Sequence, residues 1–208
     1  MFHTDAVQAV SSVNINVKEQ NIDLLSMSGH KFGAPKGVAA LYIRDGIEID
    51  NLIDGGSQMD GRRAGTENVP YIMGMAKAVE LCDINTQKNQ ELCEKRDYFI
   101  NRLVKEFGCT INGSIENRLA SNINATFNQN ITRESLLYVL DMSEIYCSTG
   151  SACDSHKIKP SHVLTAIGLT EEQAMRTIRF SLSENITYQD IDKVIDEIDK
   201  ALKLMETF

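Results

Sequence analysis

The chain has 208 residues, of which 42% are hydrophobic and 24% are charged, and its net charge is −8 at pH 7. This composition is typical of a globular protein that is large enough to bury a core. The acidic balance argues against general binding to nucleic acid or to anionic membranes. The chain contains no run of about 18 apolar residues, so we expect no membrane-spanning helix.

The N-terminus and the cysteines indicate the compartment. The opening stretch, MFHTDAVQAV, has neither a basic leader nor an apolar signal core, which favours a cytoplasmic protein. The five cysteines are odd in number and widely scattered. That pattern favours reduced thiols over a disulfide framework.

Short apolar runs near the N-terminus predict strands. Residues 23–28 and 38–43 suit buried strands, and the glycine- and proline-punctuated residues 29–37 suit a loop between them. A strand end and a turn are also expected at the very start of the chain. A second glycine-rich, polar loop is expected at residues 55–65.

Helical periodicity dominates the remainder of the chain. Thr132 and Thr187 are predicted helix caps, and Thr170 with Gln173 predicts a capping box. Four segments carry apolar stripes at three- and four-residue spacing, which predicts amphipathic helices. The stripes consist of Ile72, Met73, Ala76 and Val79, then Leu92, Phe99, Leu103 and Phe107, then Leu136, Leu137 and Leu140, and finally Ile191, Val194, Ile195, Ile198, Leu202 and Met205.

Strands and helices alternate along the chain, with further short strands expected near residues 109–113 and 121–127. The alternation predicts an α/β or α+β fold. The long helical stretch at residues 67–107 is the predicted join between two domains. We place these domains at residues 1–84 and 85–208.

A lysine-containing loop is the first candidate for chemistry. Lys31 follows a predicted buried strand, where its amine would be desolvated and nucleophilic, and Ser28 and His30 flank it with donors suited to a phosphate. Asp5, expected at the end of the first strand, and Gln8, three residues later, would reach the same strand-end crevice. A carboxylate there can keep a pyridine nitrogen protonated. The alternatives are a solvated loop lysine and an aspartate that caps a turn.

A cysteine-containing loop is the second candidate. Residues 146–155 are polar, contain glycine and lie between apolar elements, which suits a mobile loop with a reactive thiol at Cys153. The alternative for any single cysteine is an inert small hydrophobe, and Cys82 fits that description because it lies in an apolar periodic stretch. We predict no metal site, because no familiar zinc pattern matches the spacing of Cys147, Cys153, His156 and His162.

Two arginines are candidates for substrate binding. Arg179, expected at a strand end, would offer a planar fork to a substrate carboxylate. Arg176 suits a surface or ion-pairing role. Arg63 would line the site or remain a solvated loop residue.

The order and spacing of several segments resemble those of cysteine desulfurases. These are NifS/IscS-like, pyridoxal-phosphate-dependent enzymes of fold type I that are related to class V aminotransferases. The resemblance covers nearly the whole chain but only about half of the family's length. The segments are FHTDAVQ at 2–8, SGHKFGAPKG at 28–37, RAGTE at 63–67, CSTGSACDS at 147–155, PSHVL at 160–164 and IRFS at 178–181.

The resemblance implies the later part of a cofactor-binding large domain, mainly a parallel sheet with helices, and a small α+β C-terminal domain. It implies a homodimer in which Thr66 reaches the phosphate of the neighbouring subunit's cofactor. The other implied cofactor contacts are Lys31 as the covalent attachment point, Asp5 at the pyridine nitrogen, Gln8 at the ring hydroxyl, and Ser28 and His30 at the phosphate.

For the reaction, the resemblance implies that Cys153 accepts sulfur from L-cysteine while Arg179 holds the substrate carboxylate. His30 would assist proton transfer, and the sulfur would pass to an acceptor protein such as an iron–sulfur scaffold. Ser183 departs from the glycine that is usual at its position in the family. The alternatives are an incomplete fragment that acts only in partner binding and a related enzyme such as a selenocysteine lyase.

Overall fold

The computed structural model describes four stretches of the chain, residues 1–82, 86–129, 131–149 and 159–205. The chain divides into two compact units, Met1–Asn85 and Thr86–Phe208, and each contains helices and a three-stranded sheet. The predicted mixed α/β class is therefore confirmed. Assignment of the two units to a cofactor domain and a small domain stays a prediction. No helix in the described stretches is long and apolar enough to cross a bilayer.

The first unit is built on strands β1 (His3–Asp5), β2 (Leu24–Ser28) and β3 (Ala39–Ile43), in that order. Both predicted strands, at residues 23–28 and 38–43, are thus confirmed, but the predicted burial of the second was wrong, since three of the five residues of β3 are exposed. The sheet is mixed, because β1 pairs parallel with β2 whereas β3 pairs antiparallel with it. The carboxyl ends of β1 and β2 therefore lie at the same edge of the sheet, where ligands bind in many α/β proteins.

Helix α1 (Val69–Leu81) forms where the sequence predicts it, but it packs through a different face. Its Met75 and Ala78 are buried with Phe32 and Val38. The sequence predicts that Ile72, Met73, Ala76 and Val79 share one face, but helical spacing identifies a stripe without showing which side meets the rest of the fold. Within the described residues that stripe is exposed, by 37% at Ile72, 63% at Met73 and 48% at Val79.

The second unit has an antiparallel sheet in the order β4-β5-β6. Its short strands agree with those predicted near residues 109–113 and 121–127. Its elements are α2 (Thr86–Phe107), β4 (Thr110–Ile111), β5 (Asn122–Thr126), α3 (Arg133–Met142), α4 (His162–Ala166), α5 (Glu171–Met175), β6 (Thr177–Ser181) and α6 (Tyr188–Met205).

One hydrophobic core holds the second unit together, and the predicted stripes of α2, α3 and α6 contribute to it. Leu103, Ile123, Leu140, Ile178 and Ile198 are all fully buried in this core. The core therefore joins three helices to one face of the sheet. Helix α2 ends before Gly108, whose positive φ of 63° favours glycine.

The predicted caps explain where three of the helices begin. Thr170 and Gln173 form the reciprocal capping box, and the Thr132 hydroxyl accepts a hydrogen bond from the first turn of α3. The Thr187 hydroxyl accepts a hydrogen bond of 3.1 Å from the Asp190 amide at the start of α6. All three predictions are confirmed, because a side-chain oxygen satisfies a backbone amide that the helix leaves unpaired.

Two residues of α3 test how the second unit is stabilised. We expect Leu140→Ala to lower the free energy of unfolding by about 2–5 kcal/mol, because it opens a cavity in the core. Met142 lies two residues further on and is 70% exposed, so Met142→Ala should change stability by less than about 0.5 kcal/mol. Urea unfolding of both variants checks this, and equal losses would contradict the core assignment.

Candidate functional site

A tight turn follows β2 and presents the lysine loop. Residues Gly29–Phe32 form a single 3-10 turn, and the Gly29 amide donates a 3.0 Å hydrogen bond to the Val38 carbonyl. Gly29 is buried, and a Cβ placed there would lie only 2.8 Å from the Cβ of Ala34. The glycine is therefore required for this close approach. The turn places His30 and Lys31 immediately beyond the end of the strand.

Ser28 and His30 form a polar pair at this strand end. The Ser28 hydroxyl and His30 Nδ1 share a hydrogen bond of 2.8 Å. Ser28 is half-buried, whereas His30 and Lys31 are exposed. The exposure of Lys31 means that the described residues do not supply the predicted dry pocket. Desolvation of its amine stays a prediction that needs covering groups from outside them.

Asp5 is the last residue of β1 and shares the sheet edge with Ser28. Its Oδ1 accepts a 2.9 Å hydrogen bond from the Val7 amide, so the aspartate does cap the turn that follows the strand. A carboxylate can accept further hydrogen bonds, and the side chain is exposed, so capping leaves Asp5 able to bind a ligand. Gln8 lies in the same turn region and is also exposed.

Arg63 and Thr66 lie on the second glycine loop of the first unit. Arg63 Nη1 donates a 3.0 Å hydrogen bond to the Gly65 carbonyl, and the Gln58 side chain accepts one of 3.2 Å from the Gly65 amide. The Arg63 side chain therefore forms this hydrogen bond within its own loop. Thr66 follows Gly65 in the sequence and is exposed. The described residues place neither side chain in contact with the lysine turn, and the predicted roles of both stay predictions.

Arg179 lies in the second unit, where it is the central residue of β6 and not the end of the strand that the sequence predicted. The guanidinium is half-buried, and its Nε has no hydrogen-bond partner among the described residues. A buried donor without a partner is unfavourable, so a ligand acceptor would stabilise this side chain. Arg176, by contrast, forms an ion pair with Glu172, as its predicted surface role requires.

The motif that carries the candidate thiol begins beside Arg179. The backbones of Ser148 and Arg179 form an isolated antiparallel bridge, with amide-to-carbonyl distances of 3.0 Å and 2.6 Å. Cys153 lies outside the described residues. In the sequence it follows Ser148 by five positions.

Cys147 is an unsuitable nucleophile in this arrangement. It is half-buried against the core of the second unit, and burial, assisted by the charge of Asp141, raises the pKa of its thiol to about 11. The reactive thiolate is therefore rare near neutral pH. In the described stretches, no cluster of His, Cys, Asp or Glu side chains could hold a metal ion. His162 lies in α4, and His156 is not among the described residues.

The Ser148–Arg179 bridge could not be predicted from the sequence. It joins two candidate motifs that are 31 positions apart, and it uses backbone atoms that carry no residue-specific signal. The only hint was that both segments belong to the set that resembles one enzyme family. Ser148 and Arg179 therefore join the candidate site as neighbours.

The chain belongs to the aminotransferase class-V family, whose model matches residues 1–194. Within that family it is similar to proteins that handle cysteine sulfur. It is 49% identical to cysteine desulfurase IscS of Methanosarcina thermophila over 97% of this chain and 50% of that protein. The chain thus spans about half the length of such relatives.

Solved structures support the assignment of the chain to this family. A NifS-like protein from Rickettsia africae superposes with a TM-score of 0.85 and 31% identity, over 97% of this chain and 53% of that one. The structure of SspA in complex with cysteine superposes with a TM-score of 0.70 and 40% identity, over 87% of this chain and 50% of that one. These likenesses confirm the predicted relationship to NifS-like proteins.

Proposed function

We propose that this chain is the part of a cysteine desulfurase that carries the cofactor lysine and the sulfur-accepting cysteine. The reaction converts L-cysteine to L-alanine and leaves the sulfur on Cys153 as a persulfide. Similarity to cysteine desulfurases over 97% of the chain supports this proposal. The Ser148–Arg179 bridge is the structural observation that carries it, because it joins the thiol motif to a candidate carboxylate-binding arginine.

Arg179 is the proposed anchor of the substrate. Its Nε is buried without a partner in the described residues, and the planar guanidinium fork suits a carboxylate. An amino acid whose α-carboxylate binds Arg179 would lie near the start of the Cys153 motif. The thiol would then need only a short length of chain to reach the substrate sulfur.

The first unit offers residues whose chemistry fits pyridoxal phosphate. Ser28 and His30 together supply hydroxyl and imidazole donors for a phosphate, and Asp5 supplies a carboxylate for the pyridine nitrogen. Gln8 would contact the ring hydroxyl, and Lys31 would attach the cofactor covalently. When bound, pyridoxal phosphate supplies an electron sink for the charge that develops beside the substrate's α-carbon.

The protein groups then have separate tasks. Asp5 would hold a proton on the pyridine nitrogen, and the amine of Lys31 would move the proton of the substrate's α-carbon. His30 would assist proton transfer. The Cys153 thiolate attacks the substrate sulfur, and an S–S bond forms as the C–S bond breaks. The carbon that loses sulfur takes up a proton, so alanine leaves and the persulfide remains.

The proposal extends to partners. A persulfide must be passed on, so we expect a sulfur-acceptor protein, with an iron–sulfur scaffold as the first candidate. We also propose a homodimer, since Thr66 is exposed on a loop and would be free to reach a cofactor bound by the neighbouring subunit. A cytoplasmic location fits this chemistry because the thiols must stay reduced.

The decisive assay measures alanine and sulfide formed from L-cysteine in the presence of pyridoxal phosphate and a reductant. It should be run on the chain alone and on the chain mixed with the N-terminal half of the Methanosarcina relative. We expect equal amounts of alanine and sulfide, and none from L-serine, which carries no sulfur. If neither preparation forms alanine, the proposed function is wrong.

The role of Arg179 can be measured separately. We expect Arg179→Lys to raise the KM for L-cysteine by about tenfold or more, because a lysine loses the two-pronged contact with the carboxylate. Arg176→Lys is the matched control, since Arg176 lies three residues away and pairs with Glu172. A KM that rises equally in both variants would remove Arg179 from the substrate site.

A further inference from the structure

The sheet of the second unit has a polar face on the side away from the core. Side chains alternate between the two faces of a strand, and Ile123, Ala125 and Ile178 of β5 and β6 lie in the core. The residues between them therefore lie on the opposite face, here termed the polar face. In these two strands the polar face consists of Asn122, Asn124, Thr126, Thr177, Arg179 and Ser181.

Asn124 is the direct cross-strand neighbour of Arg179 on the polar face. The two residues are paired in the register of the antiparallel strands β5 and β6. The Cβ atoms of such neighbours lie about 4.5–5.5 Å apart. Both residues are half-buried, and the Nε of Arg179 has no hydrogen-bond partner among the described residues. A ligand that binds the guanidinium on this face would therefore also lie beside the Asn124 side chain.

A chain of hydrogen bonds determines how the Asn124 amide is oriented. The Thr177 hydroxyl donates a 2.7 Å bond to the Gln173 carbonyl, which can only accept. Each hydroxyl has one hydrogen, so Thr126 must be the donor in its 2.7 Å bond with Thr177. The Thr126 oxygen is then left to accept from Asn112 Nδ2 at 2.9 Å. The same Nδ2 donates to Asn124 Oδ1 at 2.7 Å.

This chain occupies the oxygen of the Asn124 amide and leaves its nitrogen as a donor. Thr126 and Thr177 are only 3% and 0% exposed, so water does not compete with the bonds that fix the orientation. The described residues provide no acceptor for Asn124 Nδ2. The polar face thus has an amide donor next to the guanidinium of Arg179, and two neighbouring donor groups suit an anion with two oxygens, such as a carboxylate.

We propose that Asn124 is a second substrate-binding residue, whose Nδ2 donates to the α-carboxylate that Arg179 holds. The proposal rests on the proposed desulfurase function, which supplies the amino-acid substrate. Arg179 contributes the charge, and Asn124 contributes a donor of fixed direction, so the carboxylate is held in one orientation. Thr126 is a positioning residue, because it acts on the substrate only through the amides of Asn112 and Asn124.

The placement of the amide beside Arg179 is tested in the full chain without substrate or cofactor. Asn124→Asp keeps an oxygen for the Asn112 amide and puts a second oxygen where Nδ2 was. Its effect on the urea midpoint at pH 7 is compared in the unmodified protein and in Arg179→Gln. We expect the midpoint to be lower by at least about 0.3 M more in Arg179→Gln, because a guanidinium stabilises a neighbouring carboxylate. Equal shifts in the two backgrounds would overturn the placement.

Substrate binding is tested in the desulfurase assay with Asn124→Ala. We expect the KM for L-cysteine to rise about tenfold, as for loss of one hydrogen bond to a charged group, while kcat stays within about threefold. The inhibition constant of L-alanine, which has the same carboxylate and no sulfur, should rise by the same factor. Asn122→Ala is the matched control, since Asn122 lies on the same face of β5, is also half-buried and pairs with Ser181.

An unchanged KM in Asn124→Ala, or an equal rise in Asn122→Ala, would refute the substrate contact. An inhibition constant for L-alanine that does not change would refute binding through the carboxylate. If the unmodified protein forms no alanine, the proposed function is wrong and the substrate role of Asn124 falls with it. The urea comparison would still judge the placement of the amide, so the two failures are distinguishable.

The positioning role of Thr126 is tested by Thr126→Val, alone and combined with Asn124→Ala. The valine cannot accept from Asn112, so the Asn124 amide loses its fixed orientation. We expect the KM for L-cysteine to rise about threefold in the single variant. Thr126→Val should add nothing further once Asn124 is replaced, because it acts through that residue. A rise of the same factor in both backgrounds would show that Thr126 acts elsewhere.

Discussion

Replacing Cys153 by serine is expected to abolish formation of alanine and sulfide from L-cysteine while leaving pyridoxal phosphate bound. A serine hydroxyl is a far weaker nucleophile than a thiolate near neutral pH, so we expect the turnover rate to fall about 10³-fold or more. The amount of bound cofactor should be unchanged, because the residues assigned to it lie in the other unit of the chain. Alanine, sulfide and absorbance of the bound cofactor are the measurements.

Cys147→Ala is the matched control for this variant, since Cys147 belongs to the same motif. Burial keeps its thiol protonated, with a pKa of about 11, and alanine is a small apolar replacement at a half-buried position. We expect its turnover to stay within about twofold of the unmodified protein, as for other mild substitutions away from a reacting group. A Cys153→Ser protein that still forms sulfide at the native rate would show that another group accepts the sulfur.

The sequence predicted the parts of the fold that depend on local rules. The capping box at Thr170 and the apolar stripe of α6 were both predicted, because each uses neighbouring residues and helical spacing alone. The stripe of α1 was predicted as an apolar face of a helix, and within the described residues that face is exposed. Which side of a helix is covered depends on tertiary contacts, here those of Met75 with Phe32 and Val38.

The same distinction holds for the candidate site. The loop that carries Lys31 was predicted at residues 29–37, because a strand, glycines and polar donors follow one another along the chain. The bridge between Ser148 and Arg179 was not predicted, since it joins backbone atoms of two residues that are far apart in sequence.

The second large effect is expected for the variant Lys31→Ala, which removes the amine proposed to attach the cofactor. We expect borohydride reduction to fix pyridoxal phosphate on the peptide that contains Lys31 in the unmodified protein and on no peptide of the variant. Loss of this amine also removes the proposed base for the α-proton, so alanine formation should fall about 10²- to 10⁴-fold. Mass spectrometry of the reduced peptides and the alanine assay are the measurements.

Lys36→Ala separates this role from a general need for positive charge, since Lys36 is also an exposed lysine of the same loop. It should retain both the attached cofactor and the activity. Lys31 is itself exposed, so its replacement should change the free energy of unfolding by less than about 0.5 kcal/mol. Loss of activity in a folded Lys31→Ala protein would therefore report chemistry. If that protein instead retained the reduced cofactor on another lysine at the native level, the attachment point would be reassigned, and with it the placement of Asp5, Ser28 and His30 around the ring.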